Sequence, residues 1–393
     1  MMPLLAQVRF QESPISVVVL AAAVVAAAAL YWPARVSARV PSAVVFDPWS
    51  GGLDGRKWAG RVAGVAVLLL AVVTGRLGEP SELRNLAAPL LVGLAWPALL
   101  FVGAAAGPVW RSLDPWDGLV RALALGDRGG APQDDVRWAL APAVAWAGYL
   151  SIYRTPLAPR SVGLVLAGYT IVMVAGALAV GRLRWLPRVE LFGLMFSWLA
   201  RLPRGALESW APPRGAEVVL GALAGGLLFG LVRQSELWGA LNVVPGATVW
   251  ATLGFGGSCA AVAGLAWWAA RWAIREGVAG SVTAALVPAV GAVALAVAMA
   301  RSRLFTSLQL LPQLLGDPFG FGWDPFGIPG RPIEAPLGPT RLAAVQVATL
   351  VAGHVAGAIV LGRRAPANRG PGTASLVTLV IVGTLAILLA PGA

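Results

Sequence analysis

The sequence predicts an all-α fold, a polytopic transmembrane bundle of about ten helices in one integral membrane domain spanning residues 1–393, and three observations predict it. The chain is 58% apolar and only 12% charged, against about 25% charged in ordinary soluble domains. Its apolar residues gather into runs of 16 to 25 residues, lengths that at about 1.5 Å per residue approach or exceed the ~30 Å bilayer core. Inside lipid every backbone N–H and C=O needs a partner from within the chain, so each run satisfies itself as a helix.

Taken in order, the first run covers residues 15–32. It is longer than the apolar core of a signal peptide and is followed by Arg35 and Arg39, so it reads as a retained anchor. Further runs fall at 59–75, 86–110, 138–153, 161–181, 217–232, 247–270, 278–300, 342–361 and 373–390. Between the fifth and sixth, Val189 to Ala200 is apolar and aromatic but too short to cross. Flanked by Arg188 and Arg201, it is expected to lie flat at the inner interface, within an inner loop over 182–214. Glycines four residues apart, at Gly60 and Gly64, Gly103 and Gly107, Gly221 and Gly225, Gly226 and Gly230, and Gly353 and Gly357, are expected to let helices approach closely. Tryptophans near the run ends, among them Trp32, Trp58, Trp110, Trp138, Trp185 and Trp238, fit an interfacial belt.

Positive charge orients the bundle. With the N-terminus outside, 20 of the 30 Lys and Arg fall in the inner loops and 10 in the outer segments. The positive-inside rule therefore places both termini outward, together with a Pro/Gly-rich outer loop at 303–341. The net charge of +12 arises from arginines spread singly through the loops, so it argues for a lipid bilayer as the surrounding partner and against nucleic acid. The expected location is a bacterial inner membrane, with room for other membrane or periplasmic partners.

The chemical inventory is short. One cysteine, Cys259, precludes an internal disulfide, and one histidine, His354, precludes bis-histidine haem ligation. The recurring unit is Asp-Pro-aromatic, at Asp47-Pro48-Trp49, Asp114-Pro115-Trp116, Asp317-Pro318-Phe319 and Asp324-Pro325-Phe326. Aspartate before proline is held extended, its carboxylate can cap a following helix, and the aromatic can anchor in the interface. That makes four structural turns one reading. The other is a site at the outer face in which Asp317, Asp324 and Glu334 hold a divalent cation, Ca²⁺ or Mg²⁺ by their oxygen-only chemistry, or activate water. His354 lies deep in its run and is read either as a packing residue, hydrogen-bonded to a neighbouring helix, or as a catalytic base.

The stretches LRNLAAPLLVGLAWPALLF with LDPWDGLVRAL, AWAGYLSIYRTPLAPRSVGLVLAGYTIVMVAGALAVGRLRWL, and GDPFGFGWDPFG followed by VQVATLVAGHVAG resemble polytopic bacterial membrane proteins labelled fenitrothion hydrolase. The resemblance runs in order from about residue 15 to the C-terminus. It implies hydrolysis of an organophosphate ester by a membrane-embedded enzyme. Relatives carry further histidines near the span that here reads ALVPAVGAVALAVAMARSRLF; this chain carries none there, so only His354 and the Asp-Pro-aromatic residues correspond. Three functions remain open: a hydrolase of a hydrophobic ester, a non-catalytic subunit or scaffold of a membrane complex, and a transporter. Few ionisable residues fall inside the apolar runs, which counts against ion-coupled transport.

The orientation is tested by single-cysteine labelling in a Cys259→Ala background. A cysteine at Gly322 is expected to react with an impermeant maleimide from outside, and labelling there from the inner side alone overturns the topology.

Overall fold

Apolar runs become helices wherever they are described, and no strand forms among the described residues, which in this computed structural model are 55–123, 135–152, 158–233, 247–299, 303–327 and 339–364. The order is α1 (Gly55–Leu77), a π-helical segment (Pro89–Ala95) running into α2 (Trp96–Ala106), α3 (Trp110–Leu113), α4 (Pro115–Ala122), α5 (Leu140–Ser151), α6 (Pro159–Val180), α7 (Arg182–Val189), α8 (Leu191–Leu199), α9 (Ala216–Val232), α10 (Ala247–Arg275), α11 (Ser281–Met299), α12 (Arg303–Gly316) and α13 (Pro339–Arg364).

Six segments are long and apolar enough to cross a membrane: Lys57–Leu77, Pro89–Ala106, Pro159–Val180, Val249–Arg275, Ser281–Met299 and Ala344–Arg364. The protein is thus multi-pass and helical. Two expected spans form shorter helices, α5 of 12 residues and α9 of 17, or roughly 18 and 26 Å. The expected spans at 15–32 and 373–390 lie outside the described residues, as do both termini.

The interior is built by α9 and α11. Of the most apolar stretch of α11, 72% is buried, against 28% for α1, α6 and α10. Those three helices turn large apolar side chains outward, including Leu69, Ile171 and Leu253, where lipid rather than protein receives them. Close approach depends on the spaced glycines, as expected. A Cβ on Gly60 would lie 2.3 Å from the Ser112 carbonyl oxygen and one on Gly64 would lie 1.9 Å from that of Leu113, so α3 rests directly on the α1 backbone. On α13, a Cβ on Gly353 would lie 2.2 Å from Ala292 Cβ, and one on Gly357 would lie 2.5 Å from the Ala285 oxygen, which places α11 along that seam. Gly103 is looser, with its nearest neighbour at 3.7 Å.

Two expectations are corrected here. The segment expected to lie flat at the interface contains α8, every residue of which is buried. An interfacial helix needs a polar face to turn toward headgroups, and LFGLMFSWL has none, so it enters the protein interior instead. The segment expected to form an outer loop also begins with structure: Arg303–Gly316 is a helix whose Leu310 and Leu314 pack with Leu86, and among the described residues only the Pro/Gly-rich part after it is irregular.

Contacts sort the connecting segments into two ends. At one end, Arg182 and Arg61 both meet Asp117, Arg363 pairs with Glu208, and Arg364 donates to the carbonyls of Leu207 (2.7 Å) and Trp210 (2.8 Å). At the other, Glu79 N–H donates to the Phe319 carbonyl (2.7 Å) and Leu86 N–H to that of Pro318 (3.0 Å).

Gly64→Ala is expected to cost about 1–3 kcal/mol through the collision with Leu113, whereas Gly257→Ala, on an exposed face of α10 with no atom near its would-be Cβ, is expected to gain up to about 1 kcal/mol from helix propensity. Denaturation in mixed micelles followed by circular dichroism measures both, and equal effects would refute the seam.

Candidate functional site

The charged residues nearest the bundle interior come from segments that read as loop. Proline at the first helical position starts α4, and Asp114 caps it: its Oδ1 accepts from the N–H groups of Trp116 and Asp117, both at 3.0 Å. Asp117 then sits one turn into the helix, completely buried, and collects three guanidinium groups: Arg61 at 2.6 Å, Arg182 at 2.6 Å and Arg121 at 2.8 Å. Glu190 repeats the device at α8, where its carboxylate caps Phe192 N–H (3.0 Å) and Gly193 N–H. Tyr169 joins the two: its hydroxyl donates to Glu190 Oε1 (3.1 Å) and accepts from Leu191 N–H (3.0 Å), and its ring packs on Trp116 with centroids 4.8 Å apart.

An aromatic layer seals this centre. Trp116 stacks on Phe192 at 5.5 Å, Trp96 meets Trp146 at 5.3 Å, and Trp110 meets Phe196 at 5.0 Å. Trp116, expected as an interfacial anchor, is instead buried, with its indole N–H on Thr170 Oγ1 (3.2 Å). Trp110 is likewise core, while Trp58 and Trp138 are exposed as the belt reading expects; Trp32 and Trp238 lie outside the described residues. The expected scarcity of buried ionisable groups is also corrected. Arg61, within α1, and Asp114, Asp117, Arg182 and Glu190 beside it are all buried, so that argument against transport falls.

Burial, and then the charge of Asp117, push the Asp114 carboxyl up to about 7. Burial and Asp114 hold Glu190 well above the usual carboxylate range. Asp114 Oδ2 and Arg61 Nε and Nη1 have no hydrogen-bond partner among the described residues. This arrangement can bind and release a proton.

The residues singled out from sequence lie elsewhere. The two Asp-Pro-Phe-Gly units form matching β-turns: Gly320 N–H returns to the Asp317 carbonyl (3.2 Å) and Gly327 N–H to that of Asp324 (3.5 Å), each with proline second and a positive-φ glycine fourth. Gly320 cannot be replaced without strain, since its φ is 75° and a Cβ would lie 2.2 Å from the Arg84 carbonyl oxygen. The Asp317 carboxylate accepts from Phe321 N–H (2.9 Å) and Gly322 N–H (2.7 Å), which folds the loop over itself. Asp317 and Asp324 do converge, on a cavity of about 240 Å³ lined also by Arg84, Gln313, Leu314, Gly316, Gly322 and Trp323. Among the described residues no three His, Cys, Asp or Glu side chains come together as metal ligands, and Glu334 and Asp47 lie outside those residues.

His354 does not line that cavity. It is buried on α13 beside the glycine seam, and its Nδ1 donates to the Leu350 carbonyl one turn back (2.7 Å). The expected bond to a neighbouring helix is therefore corrected to one within its own helix. Ser258, within α10, donates its Oγ hydrogen to the Gly225 carbonyl (2.7 Å) across the α9–α10 contact.

Because the folded state keeps the Asp114 proton up to about pH 7 while the unfolded chain loses it near the model-compound value of 3.8, stability present below that lower value is lost as pH rises through about 7. Asp135, held down to about 2 by Arg137, changes only at lower pH. The denaturation midpoint is thus expected to fall as pH rises from 3.8 to about 7 and to level off above it, and Asp114→Asn, which retains an oxygen for the cap, to flatten that fall; an unchanged slope refutes the assignment. The chain matches no known protein family, no curated protein and no solved structure, so its site is read from its own geometry.

Proposed function

We propose that this protein is a multi-pass enzyme of a bacterial inner membrane that hydrolyses a hydrophobic ester at its outer face, with both termini and the 303–341 segment outward and up to ten spans in all. The observation that carries the reading is the cavity at which Asp317, Asp324 and Arg84 meet beside exposed aromatic rings. The resemblance to the fenitrothion hydrolase group supports the reaction type. In this reading Asp324 takes a proton from the attacking water, Arg84 stabilises the charge that develops on the ester's oxygen, and Asp324 returns that proton to the alcohol oxygen as its bond to the ester centre breaks. Asp317 holds the loop in place through its backbone bonds. A divalent cation shared with Glu334 is the variant of this scheme that the three carboxylates allow.

The second reading is a non-catalytic subunit or scaffold of a membrane complex. It is favoured by the engagement of both Asp317 oxygens in the loop and of His354 within its own helix, which leaves neither set out as a base. A transporter is the third, and the buried ionisable centre supports it.

Hydrolysis of nitrophenyl phosphotriesters and carboxylic esters by purified protein, at matched folded amounts, separates these. Asp324→Asn is expected to lower kcat at least a hundredfold, the usual contribution of a general base, and His354→Gln to leave it within a few-fold. Wild-type protein that hydrolyses none of these and retains partners in mild detergent supports the scaffold reading instead.

A further inference from the structure

The outer cavity is too small for the ligands it faces. At about 240 Å³ it falls below the ~300–1,000 Å³ of pockets that enclose a drug-sized molecule. It can take a polar head, and the remainder of the ligand must lie outside. What lies outside is apolar: Phe321, Trp323 and Phe326 are 56%, 53% and 67% exposed, and Leu315 on α12 is 56% exposed. This surface adjoins the bundle end at which α1 leaves the membrane, since the loop is bonded to residues 79 and 86. An amphiphile arriving within the outer leaflet meets the aromatic rings with its chain and the cavity with its head.

The walls specify the head. Two carboxylates, Asp317 and Asp324, line it, together with Trp323, the edge of a packed aromatic group with Phe319 and Phe321 whose centroids are 5.4 to 5.7 Å apart. Carboxylates beside an indole attract an ammonium group by charge and by the ring quadrupole. Arg84 lines the cavity as well; it spends one N–H on the Gly320 carbonyl at 3.4 Å, and its guanidinium is a planar fork that suits a phosphate or carboxylate. A purely cationic head leaves Arg84 opposed, and a purely anionic head leaves two carboxylates opposed.

We propose that this cavity binds the zwitterionic head of a membrane amphiphile, its ammonium against Asp317, Asp324 and Trp323 and its anionic group against Arg84. The proposal names the substrate class of the ester site put forward above and rests on that reading for its chemistry, but not for its binding. It is tested by calorimetry on the full chain in maltoside micelles, with three probes of equal chain length: a lysophosphocholine, a lysophosphoglycerol and an alkyl trimethylammonium. The lysophosphocholine is expected to bind at least tenfold more tightly than the other two and than glycerophosphocholine, the same head without its chain. Arg84→Gln and Trp323→Ala are each expected to weaken it tenfold or more, and Arg84→Lys to recover part of the loss, with circular dichroism confirming the fold of each variant. Equal binding of the three heads, or indifference to both substitutions, overturns the proposal. Equal binding of glycerophosphocholine overturns the membrane source. Loss of nitrophenyl ester hydrolysis in Asp324→Asn alongside head-independent binding removes this inference and leaves the hydrolase reading, and selective binding without hydrolysis does the reverse.

Discussion

The fold hangs on a single buried carboxylate. Asp117 lies where three polypeptide segments distant in sequence converge, and each sends it a guanidinium: Arg61 from α1, Arg121 from its own helix, Arg182 from the first position of α7. Ions in a low-dielectric interior are tolerated only when their partners are held at close range, because removing one member leaves the others uncompensated at a cost of about 3–5 kcal/mol. The geometry of that end of the bundle is therefore narrow. The α1 backbone must come close enough for Gly60 and Gly64 to meet α3, α4 must start at Pro115, and Arg182 must follow α6 directly. Arg61 and Arg182 are themselves buried, so water does not compete for their charge.

The two ends of the molecule differ in kind. One is closed, its acids consumed as helix caps and ion-pair partners, its rings interlocked. The other is open, a pair of β-turns whose glycines and prolines set the path and whose aromatic side chains remain on the surface. α1 joins them: Arg61 stands near its start, and the chain just beyond its end carries Arg84 and the Glu79 and Leu86 N–H groups that donate to the loop's carbonyls. A sealed charge centre at one end of α1 and an accessible cavity beyond the other give one part of the protein stability and the other exposure.

Much of this was legible in the sequence, for local reasons. Long apolar runs without charge have one way to satisfy their backbone in lipid, so the helices of six spans appear where the runs place them. Glycine spacing marks seams because it reflects helical periodicity, and aspartate before proline marks caps and turns because its conformation is restricted by its neighbour. The central site was hidden because its partners are distant: Arg61 and Arg182 lie 56 and 65 positions from Asp117, and no periodicity connects them. A charged, proline-containing segment such as 111–123 reads as a solvated loop until the fold shows which arginines surround it. The signal that was present is the pairing of Asp114-Pro115-Trp116-Asp117 with an aromatic-rich α8 that has no polar face of its own. The cavity at Asp317 and Asp324 was found through repetition, although the repeat itself is explained by turn geometry.

The wholly buried α8 has a consequence for how the protein is made. Nine residues of helix extend only about 14 Å, less than half the bilayer core, so the insertion machinery cannot release this segment into lipid as a span of its own. Its apolar side chains wait for neighbours. Those on one side, α2 and α3, have already been synthesised, but α11 begins 90 positions after α8 does. Between those moments ribosome, translocon or chaperone must shield a helix with no polar face, and the last wall of its enclosure arrives only when most of the chain is in the membrane.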